Sequence, residues 1–222
     1  MAIFRDREEA GRFLAEAMKD LKGKENTLIL AIPRGGVIVG KTIAKELQLP
    51  LDIIVTRKIG TPGIPELAMG ATTSEGGTLW NEDVVRATGV HEGFRKESER
   101  SQIEEAKRRE RLYRRNRSPL ALAGKEVVLV DDGVATGFTM EAAIRAVRKN
   151  DAGEVIVAIP VAPRDTAARF AAQVDRLVVL ATPEPFCAIS VLYRDFEQVT
   201  DAEVERILED DGEDHGNHEK HP

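Results

Sequence analysis

The chain has 222 residues, of which 42% are hydrophobic and 32% are charged, so its composition is typical of one globular domain with a small appendage. Its formal net charge of -6 argues against a general nucleic-acid binder, because a polyanion would be repelled. The single cysteine, Cys187, excludes an intrachain disulfide and a Cys-rich zinc site. The N-terminal segment is charged, and no apolar run approaches the roughly 20 residues of a membrane helix, so we expect a cytoplasmic protein without a membrane partner.

Five short apolar runs predict the strands of a parallel sheet. They are rich in β-branched residues and almost continuously hydrophobic, which is typical of strands buried on both faces. Segments with a helical apolar stripe lie between them, and Arg7–Leu21 is predicted as a leading helix. Strands that alternate with helices indicate an α/β fold with helices flanking the sheet. The five runs are Thr27–Ile32, Leu51–Val55, Glu126–Val130, Glu154–Ile159 and Asp175–Leu180.

The first strand is followed by the turn Ile32-Pro33-Arg34-Gly35-Gly36 and then by a helix. Two glycines between a strand and a helix allow backbone N–H groups to approach a ligand closely. Arg34 can add a charge-assisted hydrogen bond to an anion. Taken alone, this turn is as compatible with a purely structural role as with an anion site.

Two regions interrupt the alternation. Residues 57–124 begin with a turn-rich stretch and end in a mixed-charge run from His91 to Arg117, which predicts a flexible loop followed by a helical insertion. Residues 183–209 are predicted to form a small C-terminal hood that includes a short helix, so the domain spans residues 1–209. Residues 210–222 are acidic, contain three histidines and lack apolar side chains, which predicts a disordered tail.

The third apolar run leads into the segment VVLVDDGVATGFTMEAAIRAV. A buried strand here ends in Asp131 and Asp132, a loop with two threonines follows, and an amphipathic helix begins. Loop amides and a helix N-terminus form an anion site, so phosphate should bind the loop. Two carboxylates beside a phosphate require another partner, either vicinal hydroxyls or a metal shared with phosphate oxygens. A phosphorylated sugar meets all of these requirements.

This segment resembles the fingerprint of the type I phosphoribosyltransferases, in which four apolar residues and two acids precede a small-Thr-Gly-x-Thr loop. The resemblance implies a Rossmann-like fold, a ribose held by the acids, a 5-phosphate held by the loop, and Mg²⁺ as the cofactor, with Asp131 and Asp132 as its ligands. Gly133 departs from the family, which usually has an aliphatic residue there. The alternative is a Rossmann-like turn with incidental acids. The implied site for 5-phosphoribosyl pyrophosphate (PRPP) comprises Arg34, Gly35, Gly36, Asp131, Asp132, Val134, Ala135, Thr136, Gly137, Phe138 and Thr139.

Two other segments carry weaker resemblances. RKIGTPG is similar to a strand end of adenine phosphoribosyltransferases that leads into a mobile loop. This implies catalytic roles for Arg34, Lys58 and Glu66, although Glu66 is equally readable as a solvated loop acid. The hood loosely resembles that of 6-oxopurine phosphoribosyltransferases, which implies that Phe186 stacks on the base and that Cys187 contacts it. Core packing is the alternative for Phe186.

The resemblance implies an enzyme that transfers the phosphoribosyl group from PRPP to a nitrogen of a nucleobase-like acceptor and releases pyrophosphate. Ala135 stands where 6-oxopurine members carry an aspartate, and adenine-type members also have alanine there, which argues against hypoxanthine and guanine as acceptors without establishing adenine. The alternative function is a non-catalytic PRPP-sensing regulator that binds RNA or a partner protein through the run from His91 to Arg117. The sequence leaves open whether the chain forms a homodimer.

Overall fold

The computed structural model of the protein describes residues 2–115 and 117–216, and for residues 211–216 it describes the backbone alone. Within this part of the chain, each helix is too short or too polar to cross a membrane. In chain order the elements are α1 (Arg7–Ala17), β1 (Thr27–Ala31), α2 (Gly35–Leu47), β2 (Leu51–Ile53), β3 (Thr56–Thr61), β4 (Ile64–Thr73), β5 (Gly76–Trp80), α3 (Glu82–Thr88), α4 (Glu92–Arg114), β6 (Glu126–Val130), α5 (Phe138–Lys149), β7 (Glu154–Val161), α6 (Arg164–Ala171), β8 (Arg176–Ala181) and α7 (Asp201–Gly216).

The main sheet confirms the predicted α/β class and contains the five predicted strands. Its order is β2-β1-β6-β7-β8, and every neighbouring pair is parallel. Side chains alternate across β1, so that Ile29 packs against α1, α2 and α7 on one face while Leu28 packs against α5 and α6 on the other. Burial on both faces explains the continuous hydrophobicity of these strands.

The region predicted as a flexible loop contains a second sheet instead. Strands β3, β4 and β5 pair antiparallel, with Thr56 opposite Thr73 and Gly70 opposite Trp80. Gly63 has a φ of 76°, a conformation that a glycine after Pro62 adopts readily in a hairpin turn. Glycines and prolines hide the two-residue periodicity of these strands in the sequence, and the fully buried Met69 shows that tertiary packing stabilises them.

The helical part of the insertion is the 23-residue helix α4, which the mixed-charge run predicted. It buries only Ala106 and Tyr113. Its C-terminal end is attached to the main sheet by Arg114, which donates hydrogen bonds to the Asp52 carboxylate and to the Ile53 carbonyl oxygen, both at 2.8 Å. This buried ion pair fixes the insertion against β2.

The predicted hood lies against the N-terminal segment. The amide of Arg194 donates to the Phe4 carbonyl oxygen at 3.0 Å, and the amide of Asp195 donates to the Arg5 carbonyl oxygen at 2.8 Å. Helix α7 then runs to Gly216, so the predicted start of the tail at residue 210 falls inside this helix. Residues 217–222 of that predicted tail lie outside the described residues.

The ion pair of Arg114 predicts a large effect on stability. Asp52→Ala should lower the free energy of unfolding by about 3–5 kcal/mol, because it removes the buried partner of Arg114, which keeps only its ion pair with Glu110, and leaves the Leu120 amide without its acceptor. Urea denaturation monitored by circular dichroism measures this change. Glu92→Gln is the matched control, since it removes a fully exposed ion pair with Lys96 on the same helix and should leave the midpoint unchanged. Equal midpoints for both variants would contradict the assignment.

Candidate functional site

A cleft of about 350 Å³ lies where the main sheet reverses its strand order. Strands β1 and β6 are adjacent, and the chain moves outward from them in opposite directions, to β2 and to β7. Such a switch point, at the carboxyl ends of parallel strands, is where open α/β sheets bind ligands. The cleft is lined by Ile32, Pro33, Thr56, Arg57, Lys58, Asp131, Asp132, Gly133, Val134, Ala135, Thr136, Gly137, Thr139 and Ile189.

The loop between β6 and α5 has its backbone available for an anion. Helix α5 starts after Gly137, whose φ is 89°, and no side chain caps its first amides. The carbonyl groups of the loop are held from behind, since Ala135 accepts from the Thr166 hydroxyl at 3.2 Å and Thr136 accepts from Arg169 at 2.7 Å. An uncapped helix N-terminus next to an exposed, anchored loop has backbone amides that are able to bind a phosphate.

The two acids at the end of β6 have different surroundings. Asp131 accepts a hydrogen bond from the Asp132 amide at 2.8 Å. Burial of its carboxyl, followed by repulsion from Asp132, raises the pKa of Asp131 well above the usual range. Asp132 instead forms an ion pair with Arg7, whose Nε lies 2.7 Å from its Oδ2.

Arg7 and Tyr193 are site residues that the sequence reasoning missed. The Tyr193 hydroxyl donates to the Asp132 carbonyl oxygen at 2.6 Å, so the hood and α1 both hold the second acid. Arg7 precedes Asp132 by 125 residues, and no motif links them in the sequence. Only the packing of α1 beside the sheet brings them together.

The Gly-Gly turn packs directly against the acids. An ideal Cβ placed on Gly35 would lie 1.8 Å from Asp132 Oδ2, and one on Gly36 would lie 2.9 Å from the Cα of Asp131. These positions therefore require glycine, and the two turns predicted to bind one ligand are in contact. The Arg34 side chain points elsewhere: it lies 3.5 Å from Asp201, and Arg34 is not part of the lining of the cleft.

Strand β3 contributes two basic residues, Arg57 and Lys58, to the lining of the cleft. Lys58 is exposed and Arg57 is half-buried, with its Nε donating to Gln102 at 3.1 Å. Burial, together with the charge of Arg109, lowers the pKa of Arg57 from its usual value. Glu66 lies on the exposed part of β4 and does not line the cleft, so the structure brings Lys58 but not Glu66 to the acids.

The hood contributes a residue other than those predicted. Phe186 is half-buried against the apolar cluster that contains Phe4 and Tyr193, and Cys187 is exposed, so neither lines the cleft. Ile189 lines it instead. An ideal Cβ on Gly133 would lie 2.7 Å from Ile189, which therefore occupies the space that an aliphatic residue at position 133 would fill.

The acids offer a small ligand set for a metal. Within the described residues, no group of three or more His, Cys, Asp or Glu side chains is arranged to hold an ion. Two carboxylates still suit Mg²⁺, which commonly binds one or two carboxylates and takes its other ligands from water and substrate phosphates. The donor set therefore fits a metal that is shared with a phosphorylated ligand.

Comparison with known proteins identifies the family to which this chain is similar. The family model of the phosphoribosyl transferase domain matches residues 4–181. The chain belongs to this family. Its membership confirms the resemblance seen in the sequence and makes phosphoribosyl transfer the class of function that the family supports. The match covers the Gly-Gly turn, the second sheet and the phosphate loop.

Individual relatives agree with this assignment. A Mycobacterium tuberculosis protein named "Putative phosphoribosyl transferase Rv0571c" is 44% identical over 209 residues, which make up 94% of this chain and 47% of that protein. The chain thus spans about half the length of the curated relatives it matches. The protein TT1426 from Thermus thermophilus is 40% identical, with a TM-score of 0.78 over 94% of this chain and 98% of its own. A hypothetical protein from Neisseria gonorrhoeae, solved with bound ppGpp, shares the fold at 17% identity, with a TM-score of 0.50 over 95% and 97% of the two chains.

The contact between the two turns predicts the effect of a single methyl group. Gly36→Ala should lower the free energy of unfolding by about 1–3 kcal/mol, because the new Cβ meets backbone atoms of Val130 and Asp131 that cannot rotate away. Thermal and urea denaturation measure the loss. Gly93→Ala is the control, since a Cβ at that helical position meets open space and should be neutral or stabilising by less than about 1 kcal/mol. A Gly36→Ala variant as stable as the wild type would contradict the close packing.

Proposed function

We propose that the protein transfers the 5-phosphoribosyl group of PRPP to a nitrogen of a nucleobase-like acceptor and releases pyrophosphate. The observation that carries the proposal is that the loop before α5 and the two acids line one cleft, while the Gly-Gly turn packs directly against the acids. A sugar with a phosphate at one end, vicinal hydroxyls in the middle and a pyrophosphate at the other end has a partner for each of them.

The donor is proposed to bind along the cleft. Its 5-phosphate takes the amides of the loop from Ala135 to Thr139 and the hydroxyls of Thr136 and Thr139. Its ring hydroxyls donate to Asp131 and Asp132, and its pyrophosphate lies against the amides of Gly35 and Gly36. Binding energy from the distant 5-phosphate then positions C1 of the sugar for attack.

The reaction separates charge, and the chain has groups placed for it. As the bond from C1 to pyrophosphate breaks, positive charge develops on the sugar and negative charge on the leaving group. Lys58 and Arg57, which line the same cleft as the acids, would stabilise the leaving group. Mg²⁺, held by Asp131 and Asp132, would neutralise part of the pyrophosphate charge when bound. Arg34 would contribute once its guanidinium leaves Asp201, and Glu66 only if the β3–β4 hairpin closed over the cleft.

The acceptor is proposed to bind beside Ile189 and Ala135. Both are small or aliphatic groups at the end of the cleft near the hood, so a planar ring could pack there. Ala135 lacks the carboxylate that 6-oxopurine enzymes use on the base, which supports an acceptor of the adenine type. Phe186 and Cys187 would reach this acceptor only after a rearrangement of the hood.

The structure gives little support to the regulatory alternative. The basic side chains of α4 would have to be available for RNA, but many of them are already paired with acids on the same helix. The intrahelical ion pairs are Lys96–Glu92, Lys107–Glu104, Arg108–Glu105, Arg109–Glu105 and Arg114–Glu110.

The proposed activity is tested by screening nucleobases as acceptors with PRPP and Mg²⁺. Pyrophosphate release that depends on the acceptor, with formation of the nucleoside monophosphate, is the expected result. A parallel RNA-binding titration at two salt concentrations covers the regulatory alternative. Binding of PRPP without turnover of any base, together with salt-sensitive RNA binding, would replace the transferase proposal with the regulatory one.

The acids should be essential for binding the donor. We expect the double variant Asp131→Asn with Asp132→Asn to lose measurable affinity for PRPP in the presence of Mg²⁺ while remaining folded, because amides are poor ligands for Mg²⁺ and weaker acceptors for sugar hydroxyls. Isothermal calorimetry measures the affinity, and circular dichroism checks the fold. Asp83→Asn, at an exposed site on α3 outside the cleft, is the matched control. Wild-type affinity in the folded double variant would overturn the assignment of the acids.

Lys58 should contribute through its charge. Lys58→Gln is expected to weaken PRPP binding about tenfold, since a hydrogen bond to an ionised phosphate is lost, and to make binding less sensitive to salt. Calorimetry at low and high NaCl concentrations measures both effects. Lys96→Gln, an exposed cation on α4 outside the cleft, should change neither. If the two variants bind PRPP alike, Lys58 has no role in holding the pyrophosphate.

A further inference from the structure

Arg7 is held in place more firmly than a surface arginine on a first helix needs to be. Its side chain is 10% exposed. Its Nε donates to Asp132 Oδ2 at 2.7 Å, and one of its terminal nitrogens donates to the Glu197 carbonyl oxygen at 2.8 Å. Its guanidinium carbon also lies 3.8 Å from the centroid of the Phe196 ring. Three different contacts therefore fix the position and the plane of the guanidinium.

Stability alone is a poor explanation for this arrangement. Taking two charges out of water costs free energy that their attraction often fails to recover, so a buried ion pair is weak evidence for a stabilising role. Asp132 is also fixed at its backbone, where its carbonyl oxygen accepts from Tyr193. Arg7 and Tyr193 thus both hold Asp132, one at its carboxylate and the other at its backbone, and Asp132 lines the candidate site.

We propose that Arg7 is a positioning residue, which orients the Asp132 carboxylate to accept hydrogen bonds from the vicinal ring hydroxyls of a phosphoribosyl ligand. The inference rests on the proposed function and assigns a specificity to the same site. Arg7 engages one carboxylate oxygen from the side of α1 and so fixes the rotation of the group. A carboxylate that is already oriented binds a hydroxyl without the cost of ordering it.

This role has a consequence that a purely structural role lacks. A site that reads the ring hydroxyls through an oriented carboxylate distinguishes ribose 5-phosphate from 2-deoxyribose 5-phosphate. The missing hydroxyl leaves a charged acceptor without its partner, which corresponds to a preference of about 10- to 100-fold for the ribose form. Loss of Arg7 lets the carboxylate rotate, so the preference falls while the contacts of the phosphate loop remain.

The experiment compares the affinity of each variant for the two sugar phosphates by isothermal calorimetry. Arg7→Met replaces the guanidinium over Phe196 by an apolar side chain, and Arg7→Gln replaces it by an uncharged polar group. Both variants remove the charge. For both variants we expect the ribose preference to fall to within about threefold, with PRPP binding weakened by about 10- to 100-fold. Arg7→Lys restores one charged contact without the fork geometry and recovers part of the preference. Arg12→Gln, an exposed arginine on the same helix, is the matched control and keeps the full preference.

The outcomes separate this inference from the proposed function. The positioning role is overturned if a folded Arg7→Met or Arg7→Gln variant keeps the wild-type preference. This includes the case in which its affinity for both sugars falls by the same factor. If the wild type binds PRPP but does not distinguish the two sugars, the inference fails while donor binding stands. If the wild type binds neither PRPP nor ribose 5-phosphate, the proposed function fails as well. Should both neutral variants fail to fold, a wild-type preference in Arg7→Lys would overturn the inference.

Discussion

The site depends on one close contact, between the Gly-Gly turn that follows β1 and the two acids that follow β6. Because β1 and β6 are adjacent parallel strands, their carboxyl ends meet at the same edge of the sheet. Side chains at positions 35 and 36 would separate the two turns, since their Cβ atoms would overlap Asp132 and the backbone of Asp131. The absence of two side chains therefore allows the Gly-Gly turn to pack against the acids that line the cleft.

Charge is distributed across the cleft in a complementary way. The insertion supplies cations to the lining of the cleft through Arg57 and Lys58, while the end of β6 supplies the acids Asp131 and Asp132. The second sheet and α4 support this arrangement, and the buried pair between Arg114 and Asp52 fixes α4 to β2. A region without an obvious strand signal in the sequence thus supplies the basic side chains of the cleft.

The hood contributes Ile189 to the lining of the cleft, next to Gly133. The family usually has an aliphatic residue at the position of Gly133, and here Ile189 fills that space from a distant segment. The hood is held to α1 and the N-terminal segment through Tyr193, Arg194 and Asp195. The position of Ile189 in the cleft therefore depends on the packing of the N-terminal segment against the hood.

The sequence by itself determined the parallel sheet and the position of the two acids and of the loop directly after β6. Each of these features is encoded in a short stretch of sequence, in which a buried strand is followed directly by the acids and the loop. They can therefore be predicted from residues that are adjacent in the chain. Only the tertiary structure decided the partners of these groups. Arg7 pairs with Asp132 because α1 packs beside the sheet, Arg34 is drawn to Asp201 by α7, and Ile189 rather than Phe186 reaches the cleft. Such contacts join residues far apart in the chain, and their geometry arises only when the elements pack together.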